Sequence, residues 1–202
     1  MKIIWVIFIL ISKLLHGQAE TAVFGNQSFF CSPDTSITHL DEIPKDLSPY
    51  KSIFIFSNAT SLISKYNAER LISYVKNGGG LYIGSENWPL QAEAQQLTQL
   101  MYNKEHFGEF RQALAEKSPT QNNLELDEIE SLPAGNSTVA FPLDYRLKVE
   151  AWVEDQPLIL SGEYGAGRIV IDGGYSRFYC DQRNKNTDLL FLEIIRYLDY
   201  GN

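Results

Sequence analysis

Histidine and cysteine, the residues that most often mark metal or nucleophile chemistry, are scarce here: 202 residues include three histidines and two cysteines. None of them falls at zinc-ligand spacing, and the carboxylates are scattered rather than arranged as a calcium loop. No metal or other cofactor is therefore expected. Basic charge is also short, with 17 Lys and Arg against 25 Asp and Glu, a net charge of −8. That balance argues against nucleic acid as a partner, and against anionic lipid held by charge alone. Beyond the first fifteen residues no apolar run approaches membrane-spanning length. The remainder of the chain is expected to make no stable membrane insertion.

What is present begins with a leader pattern. Lys2 supplies a positive start, Ile3 to Ile11 form an unbroken apolar run, and Gly17-Gln18-Ala19 places small residues at a cleavage site. The run is short for a bilayer core of about 30 Å. Residues 1–19 are thus expected to be a signal peptide, with an uncleaved anchor as the alternative. Residues 20–202 would then be a single α/β domain, secreted or periplasmic/extracellular. Cleavage would remove Lys2 and Lys13 but no acid, shifting the formal charge from −8 to −10. In an exported chain the pair Cys31 and Cys180 favours a disulfide over two separate buried thiols. Three sequons, at Asn26, Asn58 and Asn136, are short enough to arise by chance.

The clearest unit lies between Lys51 and Trp88. Ser52 to Ser57 reads as a strand buried on both faces, and Leu81 to Ser85 as a second. Between them, Ala68, Leu71, Ile72 and Val75 recur at helical spacing, with Asn67 as cap and Gly78 as stop. Strand, helix and strand in so short a span make a parallel βαβ unit. Near the C-terminus, Pro157–Gly162 and Arg168–Asp172 form a hairpin, followed by a helix over Thr187–Tyr197. Gln91 to Leu114 reads as helical, with Leu97, Leu100, Met101 and Phe107 facing inward. Glu116 to Asn136 is polar and reads as a surface excursion. Short strands are expected at Val139–Phe141 and Lys148–Val153, and one more within Ala22–Cys31.

Ligands of open parallel sheets bind outside the carboxyl ends of the strands. Three such ends carry polar or aromatic residues: Ser57 and Asn58; Ser85, Glu86, Asn87 and Trp88; and Tyr175, Ser176 and Arg177. Ser57, Asn58, Asn87, Trp88, Tyr175, Ser176 and Arg177 are the candidate ligand-binding residues. Ser85 could be a nucleophile if a base such as His39 or His106 reached it. Glu86 could act as acid or base with Asp172 or Asp181, although capping a helix and closing a strand are the simpler roles. Trp88, Tyr175, Phe178 and Tyr179 could form an aromatic wall for a sugar or peptide, or pack inside. Gly78-Gly79-Gly80 ends a helix rather than opening one, so it is a turn and not a phosphate loop.

Tyr74 to Gly84 and Pro157 to Asp172 together resemble the class I glutamine amidotransferase-like superfamily, in its non-catalytic, trehalose-utilisation-like and cell-surface branches. The resemblance implies a flavodoxin-like three-layer sandwich with a mostly parallel sheet and a C-terminal hairpin plus helix. Active members place a cysteine at the turn that here reads Gly84-Ser85-Glu86-Asn87, and a histidine–glutamate pair near the last strand. Neither cysteine lies at that turn, and Gly173-Gly174-Tyr175 offers no histidine. The expected function is an exported, non-catalytic binding or interaction module for a carbohydrate or a surface protein. A hydrolase using Ser85 or Glu86, and a structural accessory subunit, are the alternatives.

Overall fold

A computed structural model describes residues 20–33, 36–58, 63–120 and 122–199. The expected signal segment lies outside the described residues. Chain order is β1 (Glu20–Gly25), β2 (Thr38–Leu40), β3 (Tyr50–Phe56), α1 (Lys65–Lys76), β4 (Gly80–Gly84) and α2 (Ala92–Tyr102). Then come β5 (Phe107–Phe110), β6 (Leu114–Lys117), β7 (Leu132–Pro133), β8 (Thr138–Ala140), β9 (Leu147–Val153), β10 (Gln156–Tyr164), β11 (Gly167–Asp172) and α3 (Lys185–Asp199). A 3-10 turn, Tyr175–Phe178, joins β11 towards α3.

Nine strands form one sheet in the order β2-β1-β3-β4-β11-β10-β9-β6-β7. The half from β2 to β11 is parallel, and the half from β10 outward is antiparallel. This is the mostly parallel α/β sheet with a C-terminal hairpin and helix that the sequence predicts. The hairpin turns through two residues, with Gly165 at φ +70°, in the left-handed region where glycine carries no Cβ penalty.

Alternation along β3 explains the layers. Ile53 and Ile55 pack with Leu71 and Val75 of α1 and Leu97 and Met101 of α2. Phe54 and Phe56 point the other way, against Phe191 and Ile194 of α3. Each central strand thus has two apolar faces, because each face is covered by helix. The helix expected from Asn67 starts earlier. Ser64 caps it, its hydroxyl accepting from Asn67 N at 3.2 Å.

Two expectations require correction. The segment Gln91–Leu114 is not one helix: α2 ends at Tyr102, where Asn103 takes the left-handed cap conformation, and two short strands follow. Leu100 and Phe107 face outward. Nor is Glu116–Asn136 merely a surface excursion. Leu124, Leu126, Ile129 and Leu132 are buried on the α3 side of the sheet, between polar neighbours that hide their periodicity.

Candidate functional site

The three strand ends do share one rim. Ser57 N donates to Gly84 O at 3.1 Å and Ser85 N to Asp172 O at 2.7 Å, so the ladder continues past β3, β4 and β11. The rim is filled from within rather than open. Ser57, Ser85, Glu86, Tyr175, Ser176 and Arg177 are all buried. Asn58 and Asn87 are half-buried, and only Trp88 stands out, 74 % exposed.

At the centre lies a wholly buried ion pair. Arg177 Nη2 reaches Asp172 Oδ1 at 3.1 Å and Ala134 O at 2.5 Å, while Arg177 Nε donates to Gly174 O at 2.9 Å. Asp172 also accepts from Gly174 N at 2.9 Å and from the Tyr82 hydroxyl at 2.7 Å. Burial, with the Asp172 charge beside it, pushes the Tyr82 hydroxyl well above its ordinary pKa, so it remains a donor.

Arg177 Nη1 is buried without a hydrogen-bond partner among the described residues, whereas both Glu86 oxygens are satisfied. Glu86 Oε1 accepts from Ser176 N at 2.9 Å and Glu86 Oε2 from Ser137 N at 3.2 Å. Asn87 N donates in turn to Ser137 O at 3.0 Å, and Asn136 N to Ser176 Oγ at 2.7 Å. The stretch from Ala134 to Thr138 is thereby strapped across the rim. Two glycines permit the approach: a Cβ on Gly173 would meet Val139 O at 1.7 Å, and one on Gly174 would meet Ala134 O at 2.0 Å. Burial raises the Glu86 carboxyl to about 7, partly offset by hydrogen bonds from the Ser176 side chain and backbone and by the Arg177 charge.

Ser57 caps α2, its hydroxyl accepting from Ala94 N at 2.9 Å. The exchange is reciprocal, since Asn58 N donates to Glu93 Oε2 at 2.7 Å. Glu93 was not singled out by sequence reasoning. Burial pushes it up to about 7. The signal was available, for Glu93 lies four and eight residues before Leu97 and Met101, on the apolar stripe of α2.

The nucleophile geometry is absent among the described residues. The Ser85 hydroxyl is buried and lies 3.5 Å from Glu86 O. His39 pairs with Gln27 Oε1 at 2.8 Å, and His106 is buried against Phe141, its pKa lowered to about 3 by burial. Asp181 is exposed. Of the aromatic set, Tyr175 stacks on Phe56 and Phe178 packs on Phe191, so both belong to the core. The Tyr175 hydroxyl donates to Ser57 O at 2.6 Å. Asn26 Nδ2 donates to the hydroxyls of Tyr175 and Tyr179 at 3.2 and 3.0 Å.

Cys31 and Cys180 form a disulfide beside this rim. Backbone bonds between Cys31 N and Phe178 O and between Cys180 N and Phe29 O flank it. Among the described residues no group of three or more His, Cys, Asp or Glu is placed to hold a metal.

No protein-family model matches the chain, and no curated protein does. Solved structures do share the fold. The mmIFT52 N-terminal domain matches with a TM-score of 0.65 at 12 % identity, over 91 % of this chain and 98 % of that one. A protein from Bacteroides uniformis described as ThuA-like matches at 0.62 and 11 % identity, over 90 % and 91 %. A cytoplasmic protein from Salmonella typhimurium LT2 matches at 0.61 and 12 % identity, over 89 % and 96 %. The ThuA-like match is consistent with the trehalose-utilisation-like, amidotransferase-like fold that the sequence resembles. At such identity the likeness is one of fold alone.

Proposed function

We propose that this chain is a non-catalytic binding or interaction module that works outside the cytoplasm, engaging a carbohydrate or another surface protein. The observation that carries the reading is the filled rim. Where enzymes of open α/β sheets keep a pocket, this chain keeps a buried ion pair, a doubly occupied carboxylate and a backbone strap. The cysteine–histidine–glutamate set of the resembled enzymes also has no counterpart in the residues at those turns. The disulfide and the leader-like start support a location outside the cytoplasm. No helix among the described residues is long and apolar enough to cross a membrane.

A glycan array combined with capture of partners from a native cell envelope tests the reading. Specific retention of a glycan or a surface protein is expected. Turnover on a hydrolase substrate panel that disappears in a Ser85→Ala, Glu86→Gln double variant would replace this reading with the hydrolase one.

A further inference from the structure

At the end of the sheet opposite the filled rim, a groove of about 610 Å³ opens between the start of β3 and the last turns of α1. Its charge is opposite to the net charge of the chain. Lys45, Lys51 and Arg70 line it in a chain whose net charge is −8. Among the described residues none of the three forms a salt bridge, whereas Lys104, Arg111, Arg146, Arg177, Arg183 and Arg196 all do.

Two acids lie nearby without forming a salt bridge to the three cations: Asp46, whose Oδ1 accepts from Ser48 N at 2.9 Å and which also feels the Arg70 charge, and Asp199, which feels that of Lys51. Arg70 is held in place by neutral acceptors, Asn67 Oδ1 at 2.9 Å and Pro44 O. Its position is therefore set by neutral groups, with Asp46 near enough to feel its charge but, among the described residues, no carboxylate within salt-bridge distance. The negative end of α1 is muted as well, because Asn77, Gly78 and Gly79 N–H groups take up the carbonyls of Ser73, Tyr74 and Val75.

The remaining surface suits a ring. Leu47, Tyr50 and Tyr74 supply apolar area, and the Tyr74 ring is fixed by its hydroxyl donating to Tyr50 O at 3.1 Å and Lys51 O at 2.7 Å. A small ligand needs such a pairing of apolar wall and few convergent polar groups. We propose that this groove binds a sugar bearing one anionic group, a phosphate, sulfate or uronate carboxylate. The anion sits among Lys45, Lys51 and Arg70, and the C–H face of the ring lies against the tyrosines. The inference rests on the binding-module reading and names a ligand class and a place for it.

The test is a backbone-amide NMR titration of the full chain with glucose 6-phosphate, glucose 6-sulfate and glucuronate, each against neutral glucose and inorganic phosphate. Shifts confined to Lys45–Lys51 and Ser73–Gly79 are expected with at least one anionic sugar. Lys45→Glu with Lys51→Glu should weaken that binding roughly tenfold with thermal midpoint unchanged. No shift in these segments, or binding that the double variant leaves intact, overturns the proposal. So does inorganic phosphate binding as tightly as the best anionic sugar, which marks a mere anion site. Capture of a neutral glycan or a protein without groove shifts also overturns it, and leaves the binding-module reading standing.

Discussion

Arg177 shows what a buried charge demands. With no exposed surface, its guanidinium has traded water for Asp172, Gly174 O and Ala134 O. Removing it would leave Asp172 buried and unpaired, so Arg177→Met is expected to cost about 3–5 kcal/mol, read from denaturant unfolding. Arg177 also ties the strap through its bond to Ala134 O, so the loss should come with faster amide exchange at Ser137. Glu86 and Glu93 have the opposite electrostatic consequence. Each carboxyl is raised in the folded chain, to about 7 in both cases, chiefly by burial. The folded state therefore binds more protons than the unfolded state between the ordinary carboxyl range and pH 7. Stability from these two groups is full at low pH and is lost as pH rises through about 7. The denaturation midpoint is expected to fall between pH 5 and pH 8, and Glu86→Gln should flatten part of that slope. The Gln substitution also leaves one amide donor, Ser137 N or Ser176 N, without its oxygen acceptor.

Elements differ in how plainly they could be read. The βαβ unit was legible because Ile53 to Phe56 is continuous and apolar, while Ala68, Leu71 and Val75 repeat at helical spacing. The segment after α2 was not. Its strands are two to four residues long, too short for a period to register, and their partners lie far along the chain. β5 pairs with β8, and β6 with β9 and β7. The strap has the same character: nothing in Gly135-Asn136-Ser137 announces that Glu86 and Ser176 will hold it. Gly174→Ala offers the element-scale test. Its Cβ would fall 2.0 Å from Ala134 O, a backbone atom, so the strap must shift. A destabilisation of roughly 1–3 kcal/mol is expected, with crosspeak changes centred on Ala134–Thr138.

On the scale of the whole molecule, the disulfide joins positions 149 residues apart and closes nearly the entire sheet into one loop. Chain-entropy treatment assigns a loop of that length roughly 4–5 kcal/mol. Cys31→Ser with Cys180→Ser is expected to lower the unfolding free energy towards that amount, and reductant should do so only for the unsubstituted chain. Acidity and the two-faced apolar strands were already present in the order of residues, since they depend on composition and on local period. The parallel half of the sheet and its hairpin followed from the same local patterns. Whether the rim was open could not be read that way. Ser57, Ser85, Glu86 and Arg177 are polar residues at strand ends, which suits a ligand site and a sealed polar core equally well. Only the tertiary approach of Ala134–Thr138, some fifty residues from Glu86 in the chain, decided between them. The groove at the other end was hidden for the same reason. Lys45, Lys51 and Arg70 become a cluster only when the start of β3 and the flank of α1 are brought side by side.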